Sequence, residues 1–495
     1  MLDHEITTTP RGRRVVDPSL PPAEGLTSKQ FWLTATILAV VAASFEIQQL
    51  MVIPLMGLLS TSLDVSATVT TWIVLSALIS GAILTGPLCR LADRIGPKKV
   101  YVIAATAVLV GNALCALALA WQIPALMLFG RALVGINIAA AMGIAILKSL
   151  GSPKQMQMGM GMVTLGNGLG VVPSFLLAGF LIDRGASLTT VFWVTAFLAA
   201  ACVLMLLAIP QTQGWHTVRI PFLSSVLIGA WVLPICLYLS LGNSWGWASW
   251  STLGFLVFAL VAFACWLRFE LASDNPLIPL RMLRGNALVG YYATACIGLL
   301  AYGYYLTASA FAQTPPDQAG YGFGVSVFES GLILIPVGIL VTILGPLVGR
   351  LMHVVGPKWV LIAGSAILTL QFLLMAAFKS ELWQMYAYAA MFGVGVALFL
   401  PAGWSVFAMQ AKHEEIGITA GMALILQMIY GAFAAAIGTV LLTRELVSDT
   451  TFSVESGYTT VFLIYAIGMA AAVGLGFLVN TKRDGYITVD QEVTR

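Results

Sequence analysis

The chain has 495 residues, 59% of them hydrophobic and only 9% charged, with a formal net charge of +3 and a mean hydropathy of +0.93. Soluble globular domains carry about 25% charged residues, so the composition excludes that class and indicates a chain that crosses a bilayer many times. The basic residues are scattered among loops, which gives nucleic acid no patch to bind.

In chain order, residues 1–30 read as a polar, proline-bearing cytoplasmic tail, and the apolar run after it is too long for a signal-peptide core. A helix needs about 20 apolar residues to cross about 30 Å of hydrocarbon. Six such runs lie near 33–58, 69–89, 99–120, 124–147, 158–182 and 188–209. After the polar break PQTQGWHTVR come two more, near 221–242 and 249–267. A second break, RFELASDNPLIPLRMLRGN, precedes a final six near 287–312, 328–349, 358–378, 383–408, 418–443 and 459–479. The expected fold class is therefore all-α and polytopic, with 14 transmembrane helices. Its expected segments are a tail (1–30), a six-helix bundle (31–210), an inserted two-helix segment with flanking cytoplasmic loops (211–286), a second six-helix bundle (287–480) and a cytoplasmic tail (481–495).

Short cytoplasmic loops carry the Lys and Arg excess in membrane proteins. With both termini placed inside, 20 of the 24 basic residues fall on that side. Arg184, Lys379 and Arg444 fall outside, and Arg131 falls within a span. Moving one helix would scramble this partition. The expected location is a cell (inner) membrane.

The loop after the second run, GPLCRLADRIGPKKV (Gly86 to Val100), recurs after the tenth as GPLVGRLMHVVGPKWV (Gly345 to Val360). Spans 9–14 thus repeat spans 1–6, and spans 7 and 8 are an insertion. Parallel six-helix repeats are the architecture of major facilitator transporters. The chain resembles that superfamily from about Lys29 to Asn480. Gly86, Leu88, Asp93, Arg94, Gly96 and Lys98 are similar to its G-x-L-a-D-r-x-G-r-k loop, with one extra residue after Leu88 and Pro97 in place of a basic residue. Arg131 and Gly135 match R-x-x-q-G in span 4, with Val134 at the glutamine position. Fourteen spans and the phrase PLIPLRML (Pro276 to Leu283) resemble the fourteen-helix drug:proton antiporters. The span 5 motif of those antiporters, G-x-x-x-G-P-x-x-G-G, is altered: Gly166 and Gly170 keep their spacing, but the proline moves to Pro173. The resemblance implies proton-coupled export of amphipathic drugs by alternating access. The altered motif keeps other transport modes open, such as uptake or movement of a lipid-like substrate, and a non-transporting sensor is a further reading. Gly135, Gly166, Gly170 and Pro173 are read as helix-packing residues.

Ionisable side chains in hydrocarbon are costly, so each one found there points to function. Glu46 in span 1 and Arg131 in span 4 are the clear cases. Counting at 1.5 Å per residue puts Glu46 about 22 Å from the inner face and Arg131 about 10 Å from the outer one, which are similar depths. The two are assigned to proton coupling, with Arg131 stabilising ionised Glu46; a static buried ion pair is the other reading. Asp183, at the outer end of span 5, reads as an interfacial cap.

The resemblance implies that Gly86, Asp93, Arg94, Gly96 and Lys98 form a latch closing the inner side while the cavity faces outward. The second copy has His353 where the first has Asp93, so the latch is expected to be one-sided. Between the halves, the expected substrate-binding residues are Gln48, Gln49, Asn137, Asn167, Tyr304, Tyr305, Trp404, Gln427 and Tyr430. Each could instead be a packing residue.

No enzyme is expected: G-x-x-x-x-G-K-[ST] and H-E-x-x-H are absent, as is any C-x-x-C spacing. No cofactor or metal is expected. The expected partners are membrane lipid, a small-molecule substrate and protons, with the chain acting as a monomer.

Overall fold

The computed structural model describes residues 28–151, 153–212, 214, 222–273, 276–278, 280, 286–408, 416–448, 450 and 452–479. Both expected tails lie almost wholly outside the described residues. Among the described residues, 14 helices are long and apolar enough to cross a membrane, and no strand is present.

Spans 1–6 are Ser28–Ser62, Ala67–Ile95, Pro97–Trp121, Pro124–Leu150, Met158–Asp183 and Leu188–Ala208. Spans 7 and 8 are Phe222–Trp245 and Trp250–Ala272. Spans 9–14 are Leu288–Gln313, Val327–Gly345, Pro357–Ala377, Leu382–Val406, Ala423–Thr443 and Glu455–Phe477. The two six-helix bundles face each other, and span 7 packs against both span 2 and span 13. Below, the end carrying the Gly86–Val100 loop is the hinge face and the opposite end is the far face.

The loop and its repeat share one conformation. Gly96 (φ +101) ends span 2, Gly356 (φ +84) ends the helix Val327–Val355 that carries span 10, and Pro97 and Pro357 begin the helices that follow. Proline fits a first helical position because its missing N–H has no intrahelical role there. On the far face, Ser66, Ser187, Ser249 and Ser326 cap the starts of spans 2, 6, 8 and 10, each accepting from a backbone N–H three residues on.

The halves differ inside. In the N-terminal half a buried polar chain joins three spans: Asn112 donates to Gln48 (2.7 Å) and Thr195 donates to Asn112 (3.2 Å). At the matching depth of the other half, Phe372 packs on Tyr465, with ring centroids 5.5 Å apart, and Tyr304 stacks on Phe392 at 4.0 Å.

The halves meet at the far face. Ser326 donates to Asp183 (2.8 Å), Gln313 donates to the Pro54 carbonyl (3.1 Å), and the Thr71 and Thr439 hydroxyls lie 2.8 Å apart. Spans 5 and 10 pack there so tightly that a Cβ on Gly179 would lie 2.4 Å from the Phe328 backbone. Toward the hinge face the same two helix faces part. Beside Gly161 and Gly168 of one, and Gly345 and Gly349 of the other, there is open space. The two halves thus touch at the far face, and spans 5 and 10 stand apart at the hinge face.

Candidate functional site

Three of the spans around the midplane are not continuous α-helices. In span 1 the α-helix ends at Leu50, followed by a short 3-10 turn at Ile53–Leu55. Pro54 has no N–H to offer the Leu50 carbonyl, so the regular helix stops there. Span 4 is interrupted between Val134 and Ala139. In span 9 the residues Leu299–Tyr304 form a π-helical turn. Irregular backbone at membrane depth persists only where protein or a water-filled cavity satisfies it, and transporters build their sites from such breaks.

Each break has a partner. The last carbonyls of an α-helix lack intrahelical donors, and Arg131 supplies them: its guanidinium donates to the carbonyls of Gln48 and Gln49, both at 3.0 Å, and to that of Ile73 at 3.4 Å. Its positive charge also sits at the negative end of a helix dipole. In span 4, Ser80 donates to the freed Ala132 carbonyl (2.6 Å), and the Asn137 side chain turns to Glu46, its Nδ2 lying 3.4 Å from Oε1.

The expected pairing of Glu46 with Arg131 is therefore not what the structure contains. Arg131 is buried against backbone oxygens one turn farther toward the far face, because the broken end of span 1 presents acceptors nearer to it than the carboxylate. Glu46 is half-buried, with Asn137 as its hydrogen-bond partner. Its charge bears on two tyrosines of the opposite half, Tyr302 and Tyr305. One turn on, Gln49 Nε2 donates to the Tyr302 hydroxyl at 2.8 Å, a buried bond between span 1 and span 9.

Of the expected substrate residues, Gln49, Asn137 and Tyr305 gather around Glu46. Tyr305 packs on Phe175 of span 5 (5.1 Å between centroids) and lines a small apolar recess with Leu300, Phe392, Val396, Phe399 and Leu400. Gln48 does not face the cavity, because its amide is taken up inside the N-terminal half by Asn112 and Ser44. Tyr304 likewise points into its own half, fully buried on Phe392. Asn167 is half-buried on span 5. Trp404, Gln427 and Tyr430 are half-buried on spans 12 and 13.

The packing glycines do approach other helices closely. A Cβ on Gly135 would meet the Ala77 carbonyl at 2.0 Å, and the i, i+4 pair Gly166 and Gly170 rests on Ala39 and Ala43 of span 1. The contact at Gly170 brings span 5 directly against Glu46. Pro173 is exposed on span 5.

Three residues of the expected latch, Lys98, Gly86 and Gly96, make structural contacts. Lys98 is buried, and its ammonium donates to the Leu207 and Ile209 carbonyls (3.0 and 2.5 Å), capping span 6. Lys358 does the same to Phe477 and Val479, both at 2.8 Å, so this is a repeated structural device. Gly86 and Gly96 receive the two linkers that flank the inserted pair: Leu277 packs on Gly86, and the Thr212 carbonyl on Gly96. Asp93 and Arg94 stand exposed on the last turn of span 2, with Arg90 and Lys148 of the same half the charges that bear on Asp93.

Sequence reasoning missed Tyr302 and Glu270. Glu270, at the end of span 8, is buried, accepts from Ser224 Oγ at 2.6 Å and from the Ile278 N–H, and so holds the Leu277 linker in place. In the sequence it is one of two acids, with Asp274, in the polar break after the eighth apolar run.

Comparison with known proteins agrees with this architecture. The profile of the Major Facilitator Superfamily matches residues 36–316 and 291–492. The multidrug transporter protein MdtP of Bacillus subtilis (strain 168) is 24% identical over 376 residues, which cover 73% of this chain and 66% of MdtP. The quinolone resistance protein NorB of Staphylococcus aureus (strain MRSA252) is 24% identical over 431 residues, 83% of this chain and 86% of NorB. Among solved structures, a D-xylose-proton symporter aligns with a TM-score of 0.64 at 14% identity, over 92% of this chain and 99% of its own. The nucleoside transporter NupG aligns at 0.60 and 16% identity, over 91% and 99%. These structural likenesses concern the fold. With two facing six-helix bundles, an inserted pair and a family profile matching most of its length, this chain is a multi-pass membrane transporter, not an enzyme, and belongs to the Major Facilitator Superfamily.

Proposed function

We propose that the chain is a proton-coupled exporter of amphipathic drugs or small organic compounds in a cell membrane. The observation that carries this reading is Glu46, an acid halfway along a membrane span, at the junction of the two halves, beside the break in span 4. A carboxylate there can exchange a proton with whichever side the cavity faces, and substrate and proton then compete for it. Asn137, Gln49 and Tyr305 supply polar and aromatic contacts around it, a mixture that suits an amphipathic substrate. Arg131 acts on Glu46 indirectly, by holding the end of span 1.

In this reading the hinge face and both termini are cytoplasmic, in accord with the Lys and Arg distribution. The halves comprise residues 31–210 and 287–480, joined by the inserted segment 211–286. The export direction is supported by relatives named for multidrug transport and quinolone resistance. Asp93 and Arg94 face open space now and latch the hinge face when the cavity turns outward.

The test is dye accumulation in energised inverted membrane vesicles, with and without a proton uncoupler. Accumulation that the uncoupler abolishes is expected; accumulation indifferent to it contradicts the mechanism.

A further inference from the structure

A coupled exchanger has one strict requirement: the carrier reorients when loaded with substrate or with a proton, but not when empty and ionised. Some contact must hold the empty, ionised form. The bond between Gln49 and Tyr302 has the necessary connections. It joins span 1 to span 9 across the two halves, and Gln49 lies one helical turn beyond Glu46 on the same helix, toward the closed face.

The Tyr302 hydroxyl accepts from Gln49, which leaves its own proton to be donated. The charged and titratable groups that bear on it are Glu46 from span 1, Arg131 from span 4 and Tyr305 from its own span. A guanidinium accepts nothing, so of these charged groups only the Glu46 carboxylate is able to accept a hydrogen bond from Tyr302. Gly431 of span 13 lies against the ring and fixes its position. Tyr302 also belongs to the π-helical turn, a backbone form found as single turns inside α-helices, often at functional sites. The Gln49 amide oxygen is buried and without a partner, so an acceptor stands ready one turn from Glu46.

We propose that Tyr302 is the positioning residue that reads the state of Glu46 and locks the far face while Glu46 is ionised and empty. The chain Gln49 N–H to Tyr302 O–H to carboxylate is charge-assisted at its last link and ties the halves together. A substrate donor on Glu46, or a proton, takes that acceptor away from Tyr302. A protonated Glu46 becomes a donor itself, and the free oxygen of Gln49 receives it. Either event loosens the tie, and the far face opens. This proposal rests on the proton-coupled reading of Glu46.

The experiment is proton flux into proteoliposomes containing the full chain and a trapped pH-sensitive dye, without substrate. Tyr302→Phe is expected to leak protons at least about fivefold faster than the parent, the size of a weak coupling free energy. Gln49→Leu, which removes the same bond from the other half, is expected to leak likewise and decides the matter alone if Tyr302→Phe does not fold. Adding Glu46→Gln to either variant is expected to stop the leak, which a merely loosened structure would not do. Leak that survives Glu46→Gln overturns the proposal, as does a tight Tyr302→Phe transporter beside a working parent. If Glu46→Gln alone retains full uncoupler-sensitive export, the proton-coupled reading has failed, and the lock with it.

Discussion

Arg131 Nη2 lies 3.0 Å from the carbonyl oxygen of Gln49, and this bond, with its twin to Gln48, makes the buried arginine a cap for a broken helix. A positive charge in the middle of a membrane protein invites pairing with the nearest acid. Here helix carbonyls take its hydrogen bonds instead, and Glu46 bonds to Asn137.

Arg131→Met is therefore expected to destabilise the protein whatever residue 46 is. Leaving buried carbonyls without donors costs about 1–3 kcal/mol each. Thermal unfolding in detergent checks this in Arg131→Met, Glu46→Gln and the double variant. Additive losses are expected; relief of the arginine defect by Glu46→Gln would mean the two are partners.

The first glycine of the loop signature takes a docked side chain, so its replacement is expected to act through Leu277. A Cβ at Gly86 would fall 2.4 Å from Leu277 Cδ1. Overpacking of this kind costs about 1–3 kcal/mol. Gly86→Ala is expected to lower stability, and Leu277→Ala in the same chain to restore part of it. If the pair shows no such rescue, the inserted segment is not seated on the loop in the way described.

Spans 5 and 10 predict the shape of the other state. Their packed pairs run Asp183 with Ser326, Gly179 with Phe328 and Gly338 with Val172, and the same antiparallel register brings Gly161 opposite Gly349. Cysteines at these two positions are expected to cross-link when the hinge face closes and to stop transport until the link is cleaved. A cross-linked protein that still transports at full rate would show that these faces do not meet.

How much of this was legible in the sequence follows from which interactions are local. Hydropathy and the repeated loop carried the fourteen spans, since span length and the Gly-Pro helix start are written in adjacent residues. Glu46 stood out because an acid is rare in apolar sequence. The partners of Glu46 and Arg131 were not legible, because depth along a helix does not say which way a side chain turns or where a neighbouring helix breaks. Tyr304 and Tyr305 were chosen over Tyr302 for a similar reason: the π-helical turn shifts which tyrosine faces span 1. Lys98 looked like a latch residue, yet the carbonyls it caps lie 109 and 111 residues away.

If Glu46 carries the coupling proton, the variant Glu46→Gln in inverted vesicles shows it. Normal expression and thermal stability are expected, with uncoupler-sensitive dye accumulation reduced to background. Full uncoupler-sensitive accumulation by this variant would contradict it.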